Sequence, residues 1–200
     1  MARPEGFTHQ VAVPRLHPNG FVQFDLGPNQ RLNIWDESLP PAQTINTPIH
    51  DHTFDFSSRV VAGKLFHIVY DFAKNPHGQD CLWGVVPWRT GDETVLEPLA
   101  GMVGDAVLFE TNELPAGSGY TFGAGLFHET KHEGFTATVM TKTRKNVTEG
   151  ARVVVPVGGS VDNDFRRDQY PLEKLSAFVL RAIDALDEET RDKALLVLRG

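Results

Sequence analysis

An all-β barrel or sandwich with a short helical tail is the fold class this sequence predicts. Three observations lead there. Residues 1–160 divide into many short β-forming runs, broken by Gly, Pro, Asn and Asp at intervals of roughly eight to twelve residues. Several runs alternate apolar and polar side chains, as Phe135-Thr136-Ala137-Thr138-Val139-Met140-Thr141 does, which gives one buried and one wetter face. After about residue 165 the apolar period becomes helical.

The expected strands are Phe21–Leu26, Arg31–Asp36, Ile49–Phe56, Arg59–Ala62, Leu65–Phe72, Cys81–Trp88, Thr94–Leu99, Ala106–Thr111, Gly119–Phe122, Phe135–Lys142 and Arg152–Val157. Gly101-Met102-Val103-Gly104-Asp105 reads as the turn before Ala106–Thr111. Gly158-Gly159-Ser160-Val161-Asp162-Asn163-Asp164 is the natural linker into the tail, which occupies 165–200. Pro171 suits the first helical position, and Leu172, Leu175, Phe178, Val179, Ala182, Ile183 and Leu186 recur at helical spacing. Asp187 is placed to cap a second helix through Thr190, Ala194, Leu195 and Leu198. This tail is expected on the outside of the barrel or in a homodimer contact.

The chain has 200 residues, 40% of them hydrophobic and 22% charged, which suits one globular domain with a sizeable core. A formal charge of −7 does not favour nucleic acid or an anionic membrane as partner. No apolar run approaches the length of a membrane span. Met1-Ala2-Arg3-Pro4-Glu5-Gly6 lacks the apolar stretch of a signal peptide, and a single cysteine, Cys81, permits no internal disulfide. A cytoplasmic setting is the expectation. Asn146-Val147-Thr148 matches a glycosylation sequon by chance on this view. There is no P-loop, dinucleotide fingerprint or nucleophile elbow.

The chemistry concentrates in Pro48-Ile49-His50-Asp51-His52. Two histidines at i and i+2 on a strand face the same way and offer two imidazoles to one metal ion. A third ligand has to come from another strand. His128 is the candidate, at the end of a run from Gly117 in which glycines permit close backbone approach. Imidazole suits Fe, Zn, Mn, Ni or Cu, and three ligands leave positions open for substrate.

In order and spacing these residues resemble the cupin superfamily. Its first motif has the form G-x5-H-x-H-x3,4-E-x6-G, and its second G-x5-P-x-G-x2-H-x3-N. His50, His52 and Gly63 fall in register with the first; Gly117, Gly125 and His128 fall in register with the second. Thr44 replaces the opening glycine, Gly123 stands at the proline and His132 at the asparagine. The motif glutamate falls on Phe56 or Ser57, neither a good ligand. The resemblance implies a double-stranded β-helix, a jelly-roll barrel with the metal in its mouth. The missing glutamate makes it similar to the three-histidine subset, which includes thiol dioxygenases related to cysteine dioxygenase. For that subset the implied cofactor is Fe(II), with Zn, Mn or Ni as alternatives. The implied reaction is oxygenation of a small molecule, a thiol or bidentate acid.

Other readings stand beside this one. Asp55 offers two histidines plus a carboxylate, although an odd offset from His52 points it away unless a bulge intervenes. His67 is either a cavity acid/base or a hydrogen-bonded barrel histidine. Tyr120 either aims its hydroxyl at a ligand or packs as a barrel aromatic. Arg59 either clamps a substrate carboxylate or forms a rim salt bridge. Trp83 and Trp88 either line a pocket or pack in the core, and Cys81 reads as an idle thiol. The barrel is also compatible with a Lewis-acid isomerase, lyase or hydrolase, and with a non-catalytic binding protein.

Overall fold

The computed structural model describes residues 13–39, 48–85, 95–145, 150–161, 163 and 171–199, with the backbone alone at 144, 145 and 199. Thr44, Trp88, the 146–148 sequon and the first six residues lie outside the described residues, as do parts of the expected strands 81–88 and 94–99 and of the expected linker.

The elements are β1 (Arg15–Leu16), β2 (Val22–Gly27), β3 (Gln30–Trp35), β4 (Phe54–Lys74), β5 (Asp80–Val85), β6 (Leu96–Pro115), β7 (Gly119–Phe122), β8 (Phe127–Lys145), β9 (Arg152–Pro156), α1 (Leu172–Ile183) and α2 (Glu188–Arg199). Among the described residues the strands form one antiparallel sheet, in the order β1-β2-β3-β8-β4-β6-β5-β9, with β7 paired to β4. His50 bridges both His128 of β8 and Val153 of β9. Since β9 ends the strand order and β8 lies inside it, this bridge brings the sheet round on itself. The result is a curled antiparallel barrel with two C-terminal helices.

Long, bent strands replace several of the expected short ones. β4 runs through Arg59–Ala62 and Leu65–Phe72 without a break, because the chain bulges instead of turning. Gly63 sits in that bend at φ +72°, and a Cβ there would lie 2.2 Å from the Phe135 carbonyl oxygen. β6 likewise spans the segment expected as a turn, Gly101 to Asp105. Gly104 pairs with Lys74 on one side and Asp80 on the other, and a Cβ on it would meet the Ala73 carbonyl oxygen at 2.3 Å. That glycine permits close strand approach.

The alternation along β2, β3 and β8 sorts their side chains onto two faces. Val22, Phe24, Leu26, Leu32, Ile34, Ala137 and Val139 face outward and are buried. They pack against Leu175, Val179, Ala182 and Ile183 of α1, with Leu186 and Ala194. Pro171 is the N-cap residue rather than the first helical one: its φ of −57° suits a helix, but its ψ of 123° is extended. The Asp187 carboxylate accepts the Thr190 N–H at 2.9 Å, and hydrogen bonds from Thr190 and Arg59 lower its pKa to about 2. No helix among the described residues is long and apolar enough to cross a membrane.

The opposite face of the same strands looks into the barrel. It carries Arg31, Asn33 and Trp35 of β3 and, across the register, Met140, Thr138 and Thr136 of β8. Phe56, Ser58 and Val60 of β4 continue this face, opposite Lys142, Met140 and Thr138.

The α1 seam predicts a sharp contrast. Leu175 is 1% exposed and Leu180 of the same helix is 53% exposed. Leu175→Ala is expected to lower the unfolding free energy by about 3 kcal/mol, and Leu180→Ala by less than about 0.5 kcal/mol, in urea titrations followed by circular dichroism.

Candidate metal centre

The histidine segment does not sit in a regular strand. Its backbone is tied down from three sides instead. His50 and His128 exchange both of their backbone hydrogen bonds, each 2.9 Å. The Gly125 N–H donates to the His52 carbonyl at 2.9 Å. Between the two histidines, Asp51 points the other way and is buried against Arg152 of β9. The Arg152 backbone N–H donates to Asp51 Oδ1 at 2.5 Å, and its Nε donates to Oδ2 at 2.7 Å. The same guanidinium donates to the Gly125 carbonyl at 3.2 Å and lies 5.0 Å from the Phe127 ring centroid. Burial raises the Asp51 pKa, and the Arg152 hydrogen bonds and charge oppose that rise. One ion pair thus ties the His50–His52 segment to β9 and to the glycine turn before His128.

Three imidazoles converge from this frame. The ligand nitrogens of His50, His52 and His128 all lie within 4.8 Å of one another. His52 Nε2 and His128 Nε2 are 3.0 Å apart. Metal–nitrogen bonds of about 2.0–2.1 Å put neighbouring ligand nitrogens about 3 Å apart, so this pair has the spacing of a shared ion. His50 Nδ1 lies 2.9 Å from the Pro48 carbonyl oxygen, which fixes its proton on Nδ1 and leaves Nε2 as a lone-pair donor. His128 Nδ1 lies 3.0 Å from His67 Nε2. With Nε2 of His128 turned to a metal, its Nδ1–H donates to His67.

The surroundings keep these rings neutral, the form that binds metal. Burial is the largest cause of the lowered pKa of His50, and it holds His52 and His128 well below the ordinary value. Neighbouring positive charge lowers all three further, Arg31 among its sources. The pKa of His67 falls to about 4 for the same leading reason. Phe122 packs 4.6 Å from the His128 ring, and Phe54 and Phe56 pack 5.1 and 5.2 Å from His52, between ring centroids. The donor set, its tautomers and its apolar walls all suit a divalent metal.

The structure places the remaining candidates as follows. His67 is buried beside His128, one hydrogen bond behind it. Tyr120 stacks on His67 at 4.2 Å, and burial pushes its hydroxyl pKa up to about 12. Asp55 is not brought to the histidines; its carboxylate accepts the Ala124 N–H at 2.8 Å. Arg59 is not brought there either. It lies between Ser58 and Val60, which face inward, and it forms a rim ion pair with Asp187 at the start of α2. Trp83 packs with Leu96, Val153 and Val155. Asp51, Arg152, Arg31 and Lys142 were not singled out by sequence reasoning. Only the position of Asp51, inside the His-x-His pair, pointed to a part in the site.

No family model matches the chain, and no curated protein does. Solved structures similar to parts of it include hydroquinone 1,2-dioxygenase from Sphingomonas sp. TTNP3 with 4-hydroxybenzoate bound, at 8% identity and a TM-score of 0.31, covering 60% of this chain and 62% of that one. Hydroquinone 1,2-dioxygenase PnpCD in complex with Cd2+ and 4-hydroxybenzonitrile is similar at 13% identity and a TM-score of 0.32, over 62% of this chain and 64% of that one. CapF with the inhibitor 3-isopropenyl-tropolone is similar at 17% identity and a TM-score of 0.27, over 69% of this chain and 31% of that one. At these scores the likeness carries no functional argument. The strand pairing and the three-histidine cluster stand on the chain's own geometry: a curled antiparallel barrel with a candidate metal centre at its seam.

Two predictions follow from this frame. His50→Ala, His52→Ala and His128→Ala each lose stoichiometric metal in elemental analysis while keeping a β-rich circular dichroism spectrum, and Asp55→Asn retains the metal. Asp51→Ala leaves the partly buried Arg152 without its counter-charge and removes its hydrogen bonds, lowering the unfolding free energy by about 3 kcal/mol. Asp25→Ala, which removes the partly exposed pair with Arg15, costs less than about 1 kcal/mol.

Proposed function

We propose that this protein is a metal-dependent enzyme, a non-haem Fe(II) dioxygenase that acts on a small thiol or bidentate acid at His50, His52 and His128. The observation that carries the reading is the convergence of three neutral imidazoles, two of them 3.0 Å apart, inside an aromatic wall. When bound, the ion supplies Lewis acidity and, as Fe(II), electrons for dioxygen chemistry. The Pro48 carbonyl and His67 hold the imidazole protons of His50 and His128 away from the shared position. Tyr120 packs on His67 and limits its rotation. Phe54, Phe56 and Phe122 exclude water, which strengthens every electrostatic contact to a bound substrate. Three protein ligands leave coordination positions for substrate, and the absence of a carboxylate from the set leaves a dipositive charge for an anionic ligand to balance.

The test is elemental analysis of protein purified without a metal-affinity tag, with oxygen uptake recorded on a panel of small thiols and carboxylic acids. Near-stoichiometric iron and substrate-dependent uptake, both lost in His128→Ala, are expected. Stoichiometric Zn, Mn or Ni without uptake overturns the oxygenase and leaves a Lewis-acid enzyme. Failure to hold any divalent metal after anaerobic reconstitution overturns the metal centre itself and leaves a binding protein.

A further inference from the structure

The turn between β1 and β2 reaches the candidate metal centre. In His17-Pro18-Asn19-Gly20 the Gly20 N–H donates to the His17 carbonyl at 2.9 Å, and the His17 N–H donates to the Phe21 carbonyl at 2.7 Å. Proline in the second place and glycine in the fourth suit such a turn, and Gly20 takes a φ of +78°. The Asn19 backbone N–H is engaged as well, donating to His17 Nδ1 at 3.2 Å. Phe21 anchors the turn in the core. It is 6% exposed, stacks on His17 at 4.2 Å between ring centroids and packs with Trp35, Val60 and Leu65. From this base the Asn19 side chain meets a histidine 31 residues away: Asn19 Nδ2 lies 3.4 Å from His50 Nδ1.

The backbone of His50 is fixed by its pairing with His128, but the ring turns about its own side-chain bonds. Its Nδ1 faces the Pro48 carbonyl oxygen at 2.9 Å, from two residues away on the same irregular segment. That contact sets where the proton sits, yet it holds the ring only to its own segment. Asn19 belongs to another element, so a contact from there ties the ring to the body of the barrel. The chemistry fixes which end of the amide serves. A carbonyl oxygen accepts and does not donate, so Pro48 places the proton on Nδ1. The partner that suits this proton is the Asn19 amide oxygen. The amide is planar with two ends of nearly equal size, so a half-turn brings Oδ1 to where Nδ2 lies.

We infer that Asn19 is a positioning residue for His50: its amide oxygen shares the Nδ1 proton with the Pro48 carbonyl and holds the ring with Nε2 turned to the metal. This rests on the three histidines holding that metal. Acceptors on the far nitrogen of a ligating imidazole fix its tautomer and ring orientation and raise its basicity. His128 is served in the same way, its Nδ1 facing His67 of β4 at 3.0 Å. Each of these two ligands then has a partner on an element other than its own.

The experiment is Zn titration of the full chain in competition with a chromophoric chelator, joined to nitrogen-edited proton spectra of the Zn-loaded protein. Asn19→Leu keeps the size of the side chain and removes the acceptor. It is expected to weaken Zn binding by roughly tenfold, the low end for loss of such a partner, because Pro48 remains. Asn19→Asp presents a stronger, charged acceptor. It is expected to bind Zn more tightly than wild type and to move the His50 Nδ1 proton downfield. Asn19→Asp decides alone should Asn19→Leu not fold. Wild-type Zn affinity in Asn19→Leu, Zn binding in Asn19→Asp no tighter than wild type, or a His50 Nδ1 proton whose shift ignores the substitution overturns the positioning role while the histidines still hold metal. A wild-type chain that binds no Zn at all overturns the metal centre, and this role with it.

Discussion

The Asp51–Arg152 ion pair anchors the segment that carries two of the three candidate ligands. The paired side chains join a segment that is not itself a regular strand to the last strand of the sheet and to the glycine turn before His128. Backbone hydrogen bonds from the Asp51 N–H to the Arg152 carbonyl and from the Val154 N–H to the Ile49 carbonyl hold the same side, and the ion pair adds a fixed direction for the Asp51 side chain between the two histidines. The arrangement is costly in isolation, since burial works against the Asp51 charge. It returns geometric definition: His50 and His52 present their rings to one side because Asp51 is held on the other. The reciprocal backbone hydrogen bonds between His50 and His128 then set the distance across the seam.

The sheet behind this seam divides its labour by face. The outer face of β2, β3 and β8 is apolar and closed by the helices. The inner face of the same strands is mixed, with aromatic rings near the histidines and polar groups farther along. Stability is thus drawn largely from the helix-covered side, which lets the inner side carry charges and unsatisfied atoms that a core chosen for stability alone would not contain.

Much of this was legible in the sequence where the signals are local. Strict alternation in Phe135–Thr141 marked β8 and its two faces, and the His50-x-His52 pair with the glycines before His128 marked the three histidines that the structure brings together. The helical period from Leu172 to Leu186 marked α1. Non-local features were not legible. Asp51 and Arg152 are 101 residues apart, and nothing near either names the other. Lys142, between two threonines, reads as part of a solvated face until register brings Phe54 and Arg31 beside it. Bulges hid the true strand lengths, because Gly63 and Gly104 look like turn residues and instead serve close packing within continuous strands. The same bulges obscured which way Arg59 points, and the structure turns it outward to Asp187.

The seam at His50 has a consequence for folding itself. The candidate ligands have no common geometry until segments 76 residues apart have met, His52 on one side and His128 on the other. Contacts of such long range are slow to form, because loop-closure entropy is lost before they reward it. The site therefore exists only in a chain whose barrel has already closed, and a partly folded chain has no pre-assembled trap for an ion. Any ligand held there binds the closed state alone, so occupancy and closure are one linked equilibrium and each deepens the other.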